Sequence, residues 1–377
     1  MSLRVASATL REISLTLVEP FEISSGTVSE RRILLLELVD VDGLSGWSEC
    51  VAGERPNYSP ETVDTAWHAL LHWLLPAVLG VGFERPQAVD ARLAVGVRGH
   101  LMARAALEMG FWALAAAQTG VSLATLLGGA RRQIATGISI GVQPHPAELV
   151  AKVQAALSSG YRKAKIKIKP GADLEYLRAV RDAVGDEAPL MADANSAYTL
   201  DDVDHLTQLD PLGLTMIEQP LGWDDLVRHA ELQRHLRTPI CLDESITSVE
   251  RVEDMLALGS GRIVNIKPGR VGGFTAAKAI HDRCLAADIP VWCGGMLESG
   301  VGRTHNVALA SLPGFTLPGD VSPSARYWDQ DIVRPEWTMN ADGMVTVPTA
   351  EPGLGVVVDR DRIENLTNRA LTLHASV

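Results

Sequence analysis

Apolar residues along the chain follow two rhythms, and the change comes near residue 134. Before it, Arg32-Ile33-Leu34-Leu35-Leu36-Glu37-Leu38-Val39 is too continuous for the alternation of a half-exposed strand. Its short length and the Asp42-Gly43 turn after it predict a strand covered on both faces. Gly46-Trp47-Ser48-Glu49-Cys50 continues an antiparallel meander. Helical periodicity then runs from about Pro60 to Leu127, so the first third reads as strands followed by helices. From Ile134 to about Gly319, β-prone runs alternate with amphipathic helices. The runs are Ile134 to Val142, Ala164 to Ile168, Leu190 to Ala194, Leu214 to Glu218, Ile240 to Asp243, Ile263 to Lys267 and Val291 to Cys293. Helical spacing lies between them, as in Ala147 to Ser158, Leu226 to Leu236 and Phe274 to Ala287. Such alternation predicts a parallel sheet under helical cover, and seven runs without a dinucleotide fingerprint favour a closed barrel. An eighth strand near Phe315 to Leu317 is weakly signalled. Beyond Asp320 the tail is turn-rich and partly alternating, and is expected to pack back on the first domain. The expected domains are 1–130, an α+β cap; 131–320, the barrel; and 321–377, the returning C-terminal segment.

Composition adds limits. A chain of 377 residues, 46% apolar and 21% charged, can bury a large core. A net charge of −12 with no long basic run argues against a nucleic-acid partner. Cys50, Cys241, Cys284 and Cys293 form no CxxC pair and read as reduced thiols of a cytoplasmic protein. No signal-like stretch opens the sequence, and the most apolar helix, near Met102 to Ala117, is interrupted by Arg104 and Glu108. A core helix, not a membrane span, is expected there.

The candidate chemistry sits at strand ends. Lys167, Asp193, Glu218, Asp243 and Lys267 end successive barrel strands, 24 to 26 residues apart, or one βα unit each. They should share a height on neighbouring staves at the C-terminal face, where barrel sites are built. Each carboxylate alone could be an ordinary helix cap. Three in register would repel one another, and a divalent cation removes that repulsion; all-oxygen donors select Mg²⁺, with Mn²⁺ as a substitute. Lys167 and Lys267 flank the set from opposite sides, placed to serve as bases on a bound carbon acid. The metal would stabilise charge developing on a carboxylate as the α-proton leaves.

Neighbours of the same parity support this reading. Lys165 points the same way as Lys167 and could hold a substrate carboxylate oxygen, whereas Lys163 is expected to be too deep or solvated and Lys169 to lie on the loop, with plain solvent contact as the simpler reading of both. Asn195 and Asn265 stand two residues from Asp193 and Lys267, as substrate contacts or supports. Gly294, Gly295 and Met296 follow the seventh strand, where glycines let backbone approach a ligand. Gly137-Ile138-Ser139-Ile140-Gly141 has the GxSxG form of a hydrolase elbow, but no helix evidently starts just after it. Ser139 is expected at the barrel mouth instead. Cys293 reads as packing and not as a nucleophile. Asn365-Leu366-Thr367 is a formal glycosylation triplet without secretory context. A barrel used only as a scaffold would show no metal dependence.

The strings Lys165-Ile166-Lys167, Asp193-Ala194-Asn195, Glu218-Gln219-Pro220, Asp243-Glu244-Ser245 and Asn265-Ile266-Lys267-Pro268 resemble the enolase superfamily, more narrowly its muconate-lactonizing-like branch. Asp193 to Tyr198, Trp292 to Gly300, Pro318 to Asp320 and Arg326-Tyr327-Trp328 place the resemblance nearest the o-succinylbenzoate synthase and N-acylamino acid racemase group. The resemblance covers nearly the whole chain. It implies a (β/α)₇β modified TIM barrel under an α+β capping domain. It implies Asp193, Glu218 and Asp243 as Mg²⁺ ligands, Lys167 as the base that takes the α-proton, and Lys267 as its opposed partner. Glu244 and Glu298 would be supporting positions. Phe21 to Thr27, including Phe21 and Ser24, resembles the loop that closes over the substrate's distal group. The implied reaction is dehydration of 2-succinyl-6-hydroxy-2,4-cyclohexadiene-1-carboxylate to o-succinylbenzoate, a step of menaquinone biosynthesis. The alternative is racemisation of N-succinyl or N-acyl amino acids. Dipeptide epimerisation is disfavoured because Pro318-Gly319-Asp320-Val321-Ser322 lacks a second aspartate. The implied partner is a small carboxylate, and a homo-oligomer is implied by the same analogy.

Overall fold

The computed structural model describes residues 2–375. Its first part is an antiparallel sheet in the order Thr367–His374, Leu3–Ile23, Gly26–Asp40, Ser45–Cys50. The continuous apolar run of the Gly26–Asp40 strand is buried on both faces. Leu34, Leu36 and Leu38 pack into the cap's own core, and Ile33 and Leu35 into the core shared with the barrel. The helical run expected from Pro60 to Leu127 is broken into pieces. They include Val63–Ala69, Pro86–Gly96, Leu101–Thr119 and Leu123–Leu127. Pro86 starts one piece, and Gly80, Gly99 and Gly120 take left-handed backbone between pieces. The Leu101–Thr119 helix lies against the sheet at a distance set by glycine: a Cβ on Gly46 would stand 2.5 Å from the Gly110 carbonyl oxygen.

Seven parallel strands follow, paired in chain order: Ile138–Ile140, Ala164–Lys167, Leu190–Asp193, Ile217–Glu218, Ile240–Leu242, Ile263–Ile266 and Val291–Cys293. They form the curled parallel sheet of a modified TIM barrel under a capping domain. The run Ile134 to Val142 divides at Gly137. Gln133–Ala135 pairs antiparallel with Met344–Thr346, and only Ile138–Ile140 joins the barrel. The expected eighth strand at Phe315 to Leu317 is not a strand. Its place is taken by two bridges, Val291 to Phe315 and Thr136 to Gly319, with Asp320 N–H donating to Cys293 O at 2.8 Å. Pro318 has no N–H to give a ladder, which explains the missing β signal. The tail divides its contacts: Thr367–His374 pairs with the cap, and Met344–Thr346 lies beside the barrel's first stave.

The period of two puts Met191, Met216, Cys241, Ile263 and Trp292 inside the barrel as a buried plug. Lys163 is also inside. Of the two alternatives, too deep or solvated, the first holds: it is buried, with its Nζ 3.5 Å above the Trp292 ring and 3.6 Å from Asp320 Oδ1. Burial lowers the proton affinity of Lys163, and Asp320 works against that.

Two cap glutamates reach barrel helices. Glu108 Oε2 accepts from Phe274 N–H at 2.8 Å and Oε1 from Thr275 N–H at 3.0 Å, at the start of the Phe274–Ala286 helix. Glu49 accepts from Ser299 and Gly302 N–H, each at 3.1 Å, at the start of Gly300–Ala310. Each carboxylate satisfies end groups that the barrel helix leaves open. Among the described residues, no helix is long and apolar enough to cross a membrane.

Candidate active site

Strand pairing brings the predicted residues to one level. Lys167 pairs with Asp193, Asp193 with Glu218, and Glu218 with Cys241, two residues before Asp243. All five ionisable strand-end side chains are buried. Lys167 Nζ donates to Asp193 Oδ2 and to Asn195 Oδ1, both at 2.6 Å. At the other end of the row, Lys267 Nζ donates to Asp243 Oδ2 at 2.7 Å. The two ammonium groups thus stand at opposite ends of the carboxylate row, with Glu218 between.

Lys165 lies one layer deeper. Its Nζ is 2.6 Å from Asp320 Oδ2, 3.2 Å from Asp193 Oδ2 and 3.3 Å from Glu218 Oε2. Burial opposes the charge on Lys165, but Asp320, Glu218 and Asp193 outweigh it and raise its proton affinity. Burial likewise opposes ionisation of Asp193, yet Lys167 and Lys165 hold its carboxyl far below the usual range. Asp243 is lowered against burial by Lys267 and Arg270. Glu218 goes the other way, pushed well up by burial and by Asp193. Its Oε1 accepts from Asn265 Nδ2 at 2.7 Å, while its buried Oε2 has no hydrogen bond.

That orphaned oxygen tests whether the set fits a metal ion. Among the described residues, no three acid, histidine or cysteine side chains are gathered into a metal-holding group as they stand. Asp193 and Asp243 are instead turned onto ammonium and guanidinium groups. The donors are all carboxylate oxygens on adjacent strands, one with an unsatisfied oxygen and a proton affinity raised by its neighbours. This chemistry suits a hard divalent cation, which would replace the missing partner of Glu218.

The other predicted residues spread over the site and its supports. Asn195 has left-handed backbone (φ 42°), as have Ser196, Gln219 and Leu297, all on segments leaving barrel strands. Such backbone at non-glycine residues is held only by surrounding bonds. Here Asn195 N–H donates to Asp193 Oδ1 at 3.1 Å, and its Nδ2 donates to Glu244 Oε1 at 3.1 Å. Burial and Asp243 push Glu244 up to about 8. Ser24 Oγ donates to the Asn195 carbonyl at 3.1 Å, so the tip of the cap hairpin touches the barrel mouth. Lys169, expected in solvent, is half exposed and pairs with Glu22 at 2.9 Å. Ser139 is buried with its Oγ unpartnered, and the next helix begins only at Pro146, so no nucleophile elbow exists. A Cβ on Gly294 would stand 2.5 Å from Lys267 Cε, so the glycine leaves that lysine its room. Glu298 stands apart from the carboxylate row and accepts from Asn306 Nδ2 at 2.7 Å. All four cysteines are free and buried, and burial pushes the Cys293 thiol up, as packing requires.

A cavity of about 570 Å³ opens onto this row. Its lining includes Phe21, Ser139, Lys165, Lys167, Asn195, Lys267, Gly295 and Met296. Residues beyond the sequence reading also shape it. Tyr58, from the cap, donates its hydroxyl to Asp243 Oδ1 at 3.1 Å and accepts from Lys267 Nζ at 3.0 Å. Arg270 binds Asp243 and donates from Nη2 to Asn265 O at 2.6 Å. Gln219 Oε1 accepts from Asp243 N–H at 3.0 Å. Gln219, Arg270 and Asp320 lie within or beside strings already singled out; Tyr58 carried no signal.

A barrel whose strand ends bear a Lys–Asp–Glu–Asp–Lys row beneath an α+β cap defines a class of enzyme built around acidic strand ends. Residues 148–362 match the enolase C-terminal domain-like family, and residues 6–128 match the N-terminal domain of mandelate racemase and muconate lactonizing enzyme. The chain belongs to the enolase superfamily, in its muconate-lactonizing-like branch. It is 49% identical over 374 residues to an o-succinylbenzoate synthase from Geobacillus stearothermophilus, covering 99% of each chain. It is 46% identical over 365 residues to an N-succinylamino acid racemase from an Amycolatopsis species, covering 97% of this chain and 98% of that one. A solved enolase-superfamily member from Listeria innocua superposes with a TM-score of 0.95 at 38% identity, over 99% of this chain and all of that one.

Proposed function

We propose that the chain is an o-succinylbenzoate synthase, dehydrating 2-succinyl-6-hydroxy-2,4-cyclohexadiene-1-carboxylate by removal of the proton α to its carboxylate. The observation that carries this is the placement of Lys167 and Lys267 at opposite ends of the Asp193–Glu218–Asp243 row. Several full-length relatives with this activity in their names support the substrate. Asp193, Glu218 and Asp243 would hold Mg²⁺, for which Mn²⁺ could substitute. When bound, the cation supplies Lewis acidity at the substrate carboxylate. Lys167 Nζ takes the α-proton and returns it to the departing hydroxyl, so one side chain serves both halves of a syn elimination. Asn195 orients Lys167 through its Oδ1. Lys165 keeps its charge beside the carboxylate, and Lys267 faces the developing enediolate from the other side as a cation. Gly294 and Gly295 admit the substrate, and Phe21 and Ser24 close over it. Asn265 and Glu244 brace the groups that touch it, and Glu298 supports the segment after the seventh strand from further out.

A second reading has support of its own, because lysines on both faces also permit proton removal from one stereoisomer and delivery to the other. N-succinylamino acid racemases are comparably similar over the full chain. The deciding experiment compares kcat/KM for the cyclohexadiene carboxylate with that for N-succinyl amino acids in Mg²⁺. A higher value for the first supports the synthase, and turnover of the second alone overturns it.

A further inference from the structure

Beyond the proton-transfer centre, the cavity runs outward between the Ile23–Gly26 hairpin turn and the loop from Gly53 to Ser59. Arg31 lines this outer part. It sits near the start of the Gly26–Asp40 strand, opposite Leu15. Strand parity places it on the face of Ile33 and Leu35, toward the barrel. The side chain is 5% exposed. Nη1 donates to Ala52 O at a long 3.4 Å and Nη2 to Val51 O at 3.2 Å, while Nε has no partner. Among the described residues, no carboxylate lies within 4.0 Å of this guanidinium. Glu49 and Glu298, and behind them Glu54 on the cavity wall, act on it from further off; Glu49 is already committed to Ser299 and Gly302 and Glu298 to Asn306. Burial pulls the proton affinity of Arg31 down more than those acids restore it.

A buried guanidinium with neither a close counter-ion nor a full set of acceptors is costly to keep. Here it borders the cavity that holds Lys167 and Lys267. We propose that Arg31 recognises a second carboxylate, the one at the far end of the substrate's acyl chain. This rests on the reading above, in which the substrate carries a succinyl group. The first carboxylate is taken up at the strand-end row, and the second supplies the anion that Arg31 lacks. A carboxylate suits the planar fork of arginine better than the point charge of lysine. Arg31 would then select dicarboxylates over substrates whose acyl group ends without charge, whichever of the two reactions follows.

The test uses substrates first. For the unaltered enzyme with Mg²⁺, kcat/KM is measured for an N-succinyl amino acid, its distal methyl half-ester and the N-acetyl analogue, which share one α-proton. The free acid should exceed both neutral-ended compounds by about 30-fold, mainly through KM. In Arg31→Met that ratio should collapse toward one, and in Arg31→Lys it should be intermediate. Equal kcat/KM for free acid and half-ester in the unaltered enzyme overturns the proposal even if neither variant folds. A fall in Arg31→Met shared equally by all three substrates also overturns it, because it marks Arg31 as only a clamp on the Val51–Ala52 backbone. If all three amino-acid compounds are inert, the same free-acid and half-ester pair is made from the cyclohexadiene substrate. Inertness of that substrate too refutes the proposed function itself, and this selectivity with it.

Discussion

Lys267 and Tyr58, 209 positions apart in sequence, are joined by a 3.0 Å hydrogen bond that crosses from barrel to cap. The same hydroxyl also reaches Asp243, so one cap residue steadies both a candidate acid–base lysine and the carboxylate beside it. Removing the hydroxyl in Tyr58→Phe should lower kcat by roughly 10-fold, the scale of one hydrogen bond to a charged group. KM should change less, and circular dichroism should show an intact fold. Unchanged kcat would mean that the contact is idle in turnover.

Lys167→Ala should reduce turnover by about 10³-fold or more, within the range of general-base losses. Melting should remain cooperative, because the ammonium ends in the cavity and not in the core. Exchange of the substrate α-proton with solvent deuterium is the sharper readout. It should vanish with turnover, and persistent exchange would move the base elsewhere.

Chelation should abolish activity, and Mg²⁺ or Mn²⁺ should restore it. Stripping the ion should also lower the melting temperature, since a ligand bound only by the folded state stabilises it by mass action. Glu218→Gln removes a donor charge from the centre of the row. Its melting temperature should respond to added Mg²⁺ less than that of the unaltered chain, as differential scanning fluorimetry would show.

His229 sets an acid limit on stability. It is fully buried, its Nε2 accepts from Leu221 N–H at 3.1 Å, and its Nδ1 faces the Asp225 carbonyl. Burial lowers its pKa from 6.5 to about 4. The unfolded chain therefore binds the proton more readily. The stabilising contribution is present above pH 6.5 and is lost as pH falls through the folded value. The loss amounts to about 3 kcal/mol between pH 7 and pH 4. Glu49, raised by burial to about 8, works in the opposite direction, its contribution shrinking as pH rises from 4.5. Urea unfolding of His229→Gln and the unaltered chain across that range isolates the histidine. The two stability curves should converge as pH falls, and parallel curves would contradict the assignment.

Much of the site was legible because a barrel repeats. One ionisable residue per βα unit, with a side-chain period of two along each strand, is enough to align Lys167, Asp193, Glu218, Asp243 and Lys267. Two of the residues that escaped, Tyr58 and Asp320, lie where this repeat stops. Tyr58 arrives from another domain, and no periodicity in either domain connects it to Asp243. Asp320 ends a stave without a β pattern, because Pro318 interrupts the ladder and two bridges take its place. Lys163 stays between too deep and solvated in the sequence for a different reason. Parity pointed it inward, but no local signal showed that Trp292, 129 positions later, would lie beneath its charge.

The glutamates that the cap lends to two barrel helices make the two parts poor candidates for separation. Cut free, the barrel would leave the starts of Phe274–Ala286 and Gly300–Ala310 bare, and the cap would keep Glu49 without a hydrogen-bond donor and Glu108 with only Trp112 of its own helix. Exchanging caps between relatives to alter substrate choice would therefore succeed only where the incoming cap brings a carboxylate to each of those helix ends.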